Sequence, residues 1–383
     1  MNTIAETSIT ADFPTDDDWI DRTAALPTPS LVLDMGRVRR NIARLADYAA
    51  AHGLKVRPHT KTHKSKPLAA LQIAAGARGL TAAKVGEAER MAEVDNDILV
   101  AYPAFDPVRA PRLAALARER TVRVAVDSAA GIEALAAAAR AAGTTLGILV
   151  DLDVGLHRTG VATPAEALGL AQLVSRTKGV RLDGLFCYPG HIWGTTESQP
   201  ERLAAVGDLL AETLSLWNSS GLRAEIVSGG STPTAFRSHH CASLTEIRPG
   251  TYIFNDRNTV AAGYCDWDDC AARVLCTVVS TAVPGQVVVD AGAKTLAADR
   301  CIPAPDTGHG FVVGYPDAKV TALSEEHGQI DVSRSPRPPR LGERLMIIPN
   351  HICPCVNLQE AFWSIGSGAA PERWAVDTRG LLT

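Results

Sequence analysis

The sequence predicts an α/β protein: a (β/α)8 TIM-type barrel followed by a second, mainly β domain at the C-terminal end. Three observations carry the prediction. Between residues 29 and 250, short β-rich runs alternate with Ala-rich helical stretches closed by Gly. Strict alternation of this kind calls for a parallel sheet with helical crossovers. Eight or nine such units fill that stretch, which suits a barrel of about 250 residues. Beyond residue 260 the runs become β-rich, broken by Gly and Pro, with few helices.

Taken in order, the strand candidates are PSLVLD (29–34), LKVRPHT (54–60), GLTAA (79–83), DILVAY (97–102), VRVAVD (122–127), LGILVDLD (146–153), LDGLFCY (182–188) and AEIVSGG (224–230), then LTEIRPG at 244–250. MGRVRRNIARLADYAAAHG and SAAGIEALAAAARAAG read as amphipathic helices with Gly stops. An open doubly wound sheet would carry a Gly-rich turn after its first strand, whereas MGRVRR stands there. The expected organisation is an N-terminal segment over residues 1–26, loose or packed on the β domain, a barrel over 27–260, and the β domain over 261–383. SRSPRPPRLGE (333–343) reads as a surface loop.

The net charge is −4 and the pI near 6.2. No basic excess exists to hold a phosphate backbone, so nucleic acid is not an expected partner. No apolar run approaches the ~20 residues of a membrane helix. MNTIAETSITADFPTDDDW shows no basic region followed by an apolar one, so a cytoplasmic protein is expected. The eight cysteines are scattered, and reduced thiols are expected for them.

Several motifs fall at predicted strand ends, where barrels place their chemistry. VRPHTKTHKSK puts Lys61 just after a strand, beside His59 and His63. Cationic neighbours favour the neutral form of an amine, which imine chemistry with a carbonyl cofactor requires. Lys64 and Lys66 compete for the role, and a solvated basic loop would read the same. VSGGSTPT (227–234) offers Gly230, Ser231 and Thr232, and RPGTYIFND (248–256) offers Gly250, Thr251 and Tyr252. Such turns present backbone N–H groups and hydroxyls to a phosphate, though each also suits an ordinary strand-to-helix turn. DLDVGLHRTG (151–160) supplies His157 and Arg158, and FCYPGHIWG (186–194) supplies Tyr188 and His191.

In IIPNHICPCVNLQEAFW (347–363), His351 and Cys353 are two apart and would share one face of an extended strand. Imidazole with thiolate is a zinc-type pair. Two protein ligands leave positions open for substrate and water, as a catalytic metal needs. A buried cysteine beside a hydrogen-bonded histidine is the alternative. Cys355 would continue the same face.

TPSLVLD, RPHTKTHKS, AAGARGLTAAKVGEAERM and PNHICPCVNL together resemble the D-serine dehydratase / D-threonine aldolase family of alanine-racemase-like (fold type III) pyridoxal-phosphate enzymes. Within it the resemblance is greatest to D-threo-3-hydroxyaspartate dehydratases. LSEEHG and VVDAGAKTLAAD extend it through the C-terminal domain. The resemblance implies pyridoxal 5'-phosphate on Lys61, with Gly230, Ser231, Thr232, Gly250, Thr251 and Tyr252 around its phosphate. It further implies Tyr188 near the ring, Arg158 near the phenolic oxygen, and Arg248 at the position that meets the ring nitrogen in alanine racemases. His351 and Cys353 would hold a divalent ion (Zn, Mn, Co or Mg). Aldolases of this family often carry aspartate at the second ligand position and dehydratases cysteine, so Cys353 implies a dehydratase. The implied substrate is a small D-3-hydroxy amino acid: D-threo-3-hydroxyaspartate giving oxaloacetate plus ammonia, or D-serine giving pyruvate plus ammonia. A homodimer is the implied assembly. The alternatives are an aldolase releasing glycine, a racemase whose second base would come from Tyr264 or Tyr315, the only tyrosines after residue 252, with Tyr264 the conceivable one, a non-catalytic carrier of the cofactor, and a structural or interaction protein on an inactive barrel.

Overall fold

The computed structural model describes residues 17–193, 196–366 and 370–383. The first strand, β1 (Ser30–Asp34), stands apart from the next eight. These are β2 (Lys55–Val56), β3 (Leu80–Ala82), β4 (Asp97–Val100), β5 (Thr121–Val126), β6 (Leu146–Asp151), β7 (Val180–Phe186), β8 (Ile226–Gly229) and β9 (Glu246–Ile247). They form one parallel sheet in the order β2-β9-β8-β7-β6-β5-β4-β3. A parallel bridge between His59 and Thr81 brings β3 back to β2, and the Thr81 N–H donates to the Pro58 carbonyl at 2.9 Å. The sheet thereby curls into a TIM-like barrel.

Local chemistry sets the crossover helices. Asp34 caps the helix Met35–Ala51 by accepting from the Arg37 N–H. Ser128 caps Ala129–Ala142, which ends at Gly143 in the left-handed region (φ 68°). Thr163 and Glu166 form a reciprocal capping box on Pro164–Arg176. The outward residues of the middle strands, including Ile98, Val100, Val122, Val124, Ile148 and Val150, are fully or almost fully buried under these helices. That is why the strands read as continuous apolar runs.

The inside of the barrel is layered. Toward the strand starts lies a network of buried charges. Arg57 is fully buried and bonds Glu246 at 2.9 Å and Asp97 at 2.6 Å. Arg123 pairs with Asp97 and, at 2.7 Å, with Asp183. Above this floor sits an apolar layer of Leu99, Ala125, Leu149, Phe186 and Ile226. Above that layer the strand ends open into the mouth.

The second sheet contains β10 (Ala272–Ser280), β11 (Gln286–Val289), β12 (Phe311–Val312), β13 (Lys319–Leu323), β14 (Gly328–Asp331), β15 (Arg344–Ile348), β16 (Ala361–Ile365) and β17 (Glu372–Ala375). Its order is β13-β14-β11-β10-β1-β16-β17, with β15 paired to β10 and β12. This corrects the reading of residues 29–34 as a barrel strand. β1 pairs antiparallel with β10 and parallel with β16. All five of its residues are buried, and a strand buried on both faces looks the same in either sheet. Residues 1–16 of the N-terminal segment lie outside the described residues. Trp19 joins one apolar cluster with Phe311, Met346 and Ile348 of the β domain. Among the described residues no helix is long and apolar enough to cross a membrane.

Candidate active site

A cavity of about 190 Å³ opens at the barrel mouth, against the β domain. The loops after β2, β7, β8 and β9 bring Lys61, Tyr188, Ser231, Thr232, Gly250 and Thr251 to its wall, and the β domain adds His351 and Cys353. Eight residues singled out from sequence thus meet in one space.

The three lysines of the basic loop separate cleanly. Lys64 is buried in an ion pair with Glu87. Lys66 pairs with Glu93 at 2.8 Å. Lys61 is exposed to the cavity, and among the described residues its amine has no carboxylate at ion-pair distance. His59 caps the 3-10 turn Thr60–Thr62 that carries Lys61. Burial, then the charges of Lys61, Arg248 and His63, push the His59 imidazole well below its ordinary range, so a neutral ring lines the cavity.

The Gly/Ser/Thr loops form a cradle. Thr232 Oγ1 accepts from the Gly250 N–H at 3.2 Å and so ties the two loops together. A Cβ at position 250 would lie 2.7 Å from Thr62 Oγ1 and 3.0 Å from the His59 carbonyl. Only glycine permits this approach. Gly230 has φ +78° and sits at the turn out of β8 without lining the cavity. Tyr252 turns away from the cradle. It is 4% exposed, and its hydroxyl accepts from Gln72 Nε2 at 2.9 Å. The side chain therefore belongs to the core behind the loop, which a Gly-x-Tyr pattern cannot reveal.

Arg158 is exposed and lies beside the cavity rather than in its wall. Its guanidinium stacks over the Tyr188 ring at 4.7 Å. His157 is 81% exposed and pairs with Asp153 at 2.6 Å. His191 does not line the cavity, and its carbonyl accepts from Arg202. Arg248 does line it. Its guanidinium donates to Ser228 Oγ and to the Cys187 carbonyl, each at 2.6 Å, and lies 3.7 Å from the Phe186 ring centre. Burial lowers it to about 10, still charged at neutral pH. Of the tyrosines offered as a racemase base, Tyr315 donates to Glu343, and Tyr264 lies outside the cavity wall.

His351 and Cys353 are not on an extended strand, which corrects that expectation. His351 is the N-cap of the helix Ile352–Leu358, and Cys353 sits in its first turn. The helix begins there because the Asp256 carboxylate accepts the Ile352 N–H at 3.0 Å. His351 Nδ1 bonds Asp299 at 2.8 Å, which leaves Nε2 for another partner. Burial opposes charging His351, but Cys353, Asp256 and Asp299 outweigh it and lift the imidazole to about 9. Burial also opposes ionising Cys353, yet His351, Lys61 and Thr251 bring the thiol below its ordinary value. A cysteine sulfur beside an imidazole nitrogen is a donor set suited to a divalent ion. Among the described residues no cluster of three or more His, Cys, Asp or Glu is arranged to hold a metal. Cys355 points elsewhere, its Sγ donating to the Thr295 carbonyl.

Sequence reasoning missed Asp256, Asn258, Ile302 and Trp193 in the wall and Asp299 behind His351. NDRNT could have flagged Asp256, as an Asp three residues before Thr is an N-cap signal. Nothing local marks Asp299.

Residues 33–258 match the model of the alanine racemase N-terminal domain. The chain belongs to that family, whose members depend on pyridoxal phosphate. Residues 271–365 match a putative serine dehydratase domain. The chain is 34% identical to the D-threo-3-hydroxyaspartate dehydratase of Delftia sp. (strain HT23), over 92% of this chain and 98% of that one. It is 32% identical to the D-threonine aldolase of Arthrobacter sp., over 94% and 95%. The crystal structure of D-threonine aldolase from Filomicrobium marinum superposes with a TM-score of 0.86 at 32% identity, over 93% and 97%. A Cys-to-Ala mutant of a D-threo-3-hydroxyaspartate dehydratase, 33% identical over 92% and 97% with a TM-score of 0.82, is described as the metal-free form. These relatives are lyases, and that mutant's description implies that its parent enzyme binds a metal.

Proposed function

We propose that this protein is a pyridoxal-phosphate- and divalent-metal-dependent dehydratase that removes water from a D-3-hydroxy amino acid. D-threo-3-hydroxyaspartate, giving oxaloacetate and ammonia, and D-serine, giving pyruvate and ammonia, are the substrates of choice. One observation carries the reading: a lysine amine with no carboxylate at ion-pair distance among the described residues, a histidine–cysteine pair and two Gly/Ser/Thr loops face one cavity.

Lys61 would hold the cofactor, and Ser231, Thr232, Gly250 and Thr251 its phosphate. Pyridoxal phosphate, when bound, supplies an electron sink for charge developing at the substrate α-carbon. The Lys61 amine takes the α-proton. Tyr188 and His59 flank the ring space, and His59, being neutral, adds no charge there. Arg248 presents a buried cation to the same space. His351 and Cys353 would hold the divalent ion, which supplies Lewis acidity toward the β-hydroxyl. Asp299 orients His351 as carboxylates commonly do behind metal-bound imidazoles.

Cys353 in the second donor position supports elimination over carbon–carbon cleavage. The 32% identity to an aldolase supports the competing retro-aldol reaction. Product analysis decides between them. Purified protein is offered D-serine, D-threonine and D-threo-3-hydroxyaspartate, with keto acid and ammonia as the expected products. Glycine without ammonia overturns the dehydratase. A homodimer is the proposed assembly, to be checked by light scattering.

A further inference from the structure

The residue after Lys61 reaches the other half of the site. Thr62 Oγ1 lies 3.2 Å from Cys353 Sγ, a contact between residues 291 apart in sequence. Thr62 is fully buried. Its hydroxyl has no other partner among the described residues. Its neighbour Thr60 is spent differently, donating to the Thr81 carbonyl at 3.0 Å. A β-branched side chain is stiff about χ1, so the hydroxyl is aimed rather than swinging. The space it occupies is the space a side chain at 250 would fill, 2.7 Å from a Cβ built there. Thr251, on the cradle loop, offers a second and longer contact to the same sulfur at 3.5 Å.

We infer that Thr62 is a positioning residue for the metal site: its hydroxyl donates to the Cys353 sulfur, fixing the thiolate and tying it to the turn that carries Lys61. The inference rests on the metal reading above and concerns how that site is held. A hydroxyl donor stabilises negative charge on sulfur and orients its remaining lone pairs. Partners of this outer kind typically contribute 10–100-fold to metal affinity. The contact also joins barrel to β domain at the site.

The test uses the cofactor-loaded protein, stripped of metal with a chelator and titrated with Co2+ against a chromogenic competitor. The visible ligand-field absorption of bound Co2+ serves as the second readout. Thr62→Val keeps the shape and deletes the hydroxyl, and should weaken Co2+ about tenfold. Thr62→Ser restores the donor and should return affinity to within about twofold of wild type. Lysine-bound cofactor absorbance should stay unchanged in both. Should valine prevent folding, Thr62→Ala repeats the measurement without the extra methyl. Wild-type affinity in the hydroxyl-free variant overturns the inference while leaving the metal reading intact. A wild-type protein that takes up no Co2+ overturns the metal reading and this inference together.

Discussion

The floor and the mouth of the barrel hold similar charged groups and treat them in opposite ways. On the floor the buried guanidinia have carboxylates, Arg57 with Glu246 and Asp97 and Arg123 with Asp97 and Asp183, and the half-exposed Arg181 joins Asp183 at 2.5 Å. At the mouth Lys61 and Arg248 have none among the described residues. The two levels are connected, because Glu246 accepts from Ser228 Oγ at 2.6 Å and Ser228 accepts from Arg248. A buried cation satisfied by carboxylates is committed to the fold, since losing one partner strands the other. A cation satisfied only by neutral groups keeps its charge available to a ligand. The same contrast separates Lys61 from Lys64 three residues later.

The largest expected effect tests that contrast directly. Lys61→Ala should abolish the visible absorbance of lysine-bound cofactor and cut turnover by about a thousandfold, with the thermal midpoint unchanged. Lys64→Met should do the reverse. It leaves the buried Glu87 carboxylate without its cation, holding only the Ala83 N–H among the described residues, and should cost about 3–5 kcal/mol in urea unfolding while the folded protein keeps its absorbance. A folded Lys64→Met protein without the chromophore would break the distinction.

Next in size is the floor. Arg57→Met removes the cation paired with Glu246, leaving that carboxylate the Ser228 hydroxyl, and leaves Asp97 to Arg123; it should cost about 3–5 kcal/mol. Cofactor affinity, measured below the unfolding transition, should fall less than about threefold if the floor is structural.

A smaller effect is expected from pH. Burial holds His63 at about 4, and its Nδ1 accepts from the Ser65 N–H at 3.1 Å. A folded value below the unfolded 6.5 means the neutral form is favoured in the native state. The stabilisation is therefore complete above about pH 6.5 and lost as pH falls toward 4. By linkage the loss approaches about 3 kcal/mol. Asp151, raised to about 6 by burial, runs in the opposite sense. The quantity to measure is thus the difference between wild type and His63→Leu from pH 7 to pH 4. Parallel stability curves for the two would refute the assignment.

The smallest effect is expected at Tyr252→Phe. It removes one buried hydrogen bond to Gln72 and should cost about 1 kcal/mol. Phosphate-dependent cofactor affinity should be unchanged, because the side chain faces away from the cradle. A tenfold loss of that affinity would return Tyr252 to the site.

Much of the site was legible because barrels concentrate their chemistry at strand ends, and strand ends can be read from composition. Lys61, Ser231, Thr232, Gly250 and Thr251 all follow apolar runs that became β2, β8 and β9. His351 and Cys353 stand out by residue type, but their geometry does not. HICPCVNL carries no strong helix signal, and its helix starts on the Asp256 carboxylate, ninety-six residues away. Arg158 and Tyr188 stand in separate motifs, and only packing shows the guanidinium lying on the ring. Residues 29–34 read as a barrel strand because burial pattern does not name the neighbouring strand.

The chain by itself determined its local structure. The caps at Asp34, Ser128 and Thr163, the stop at Gly143 and the alternation of apolar runs with helices are short-range choices among neighbouring residues. Tertiary structure alone decided which lysine stays without a carboxylate, which sheet takes β1, and that Thr62 meets Cys353. Those outcomes depend on contacts between residues tens to hundreds of positions apart. No periodicity in sequence records such distances, because they exist only once the barrel has curled and the β domain has closed over its mouth.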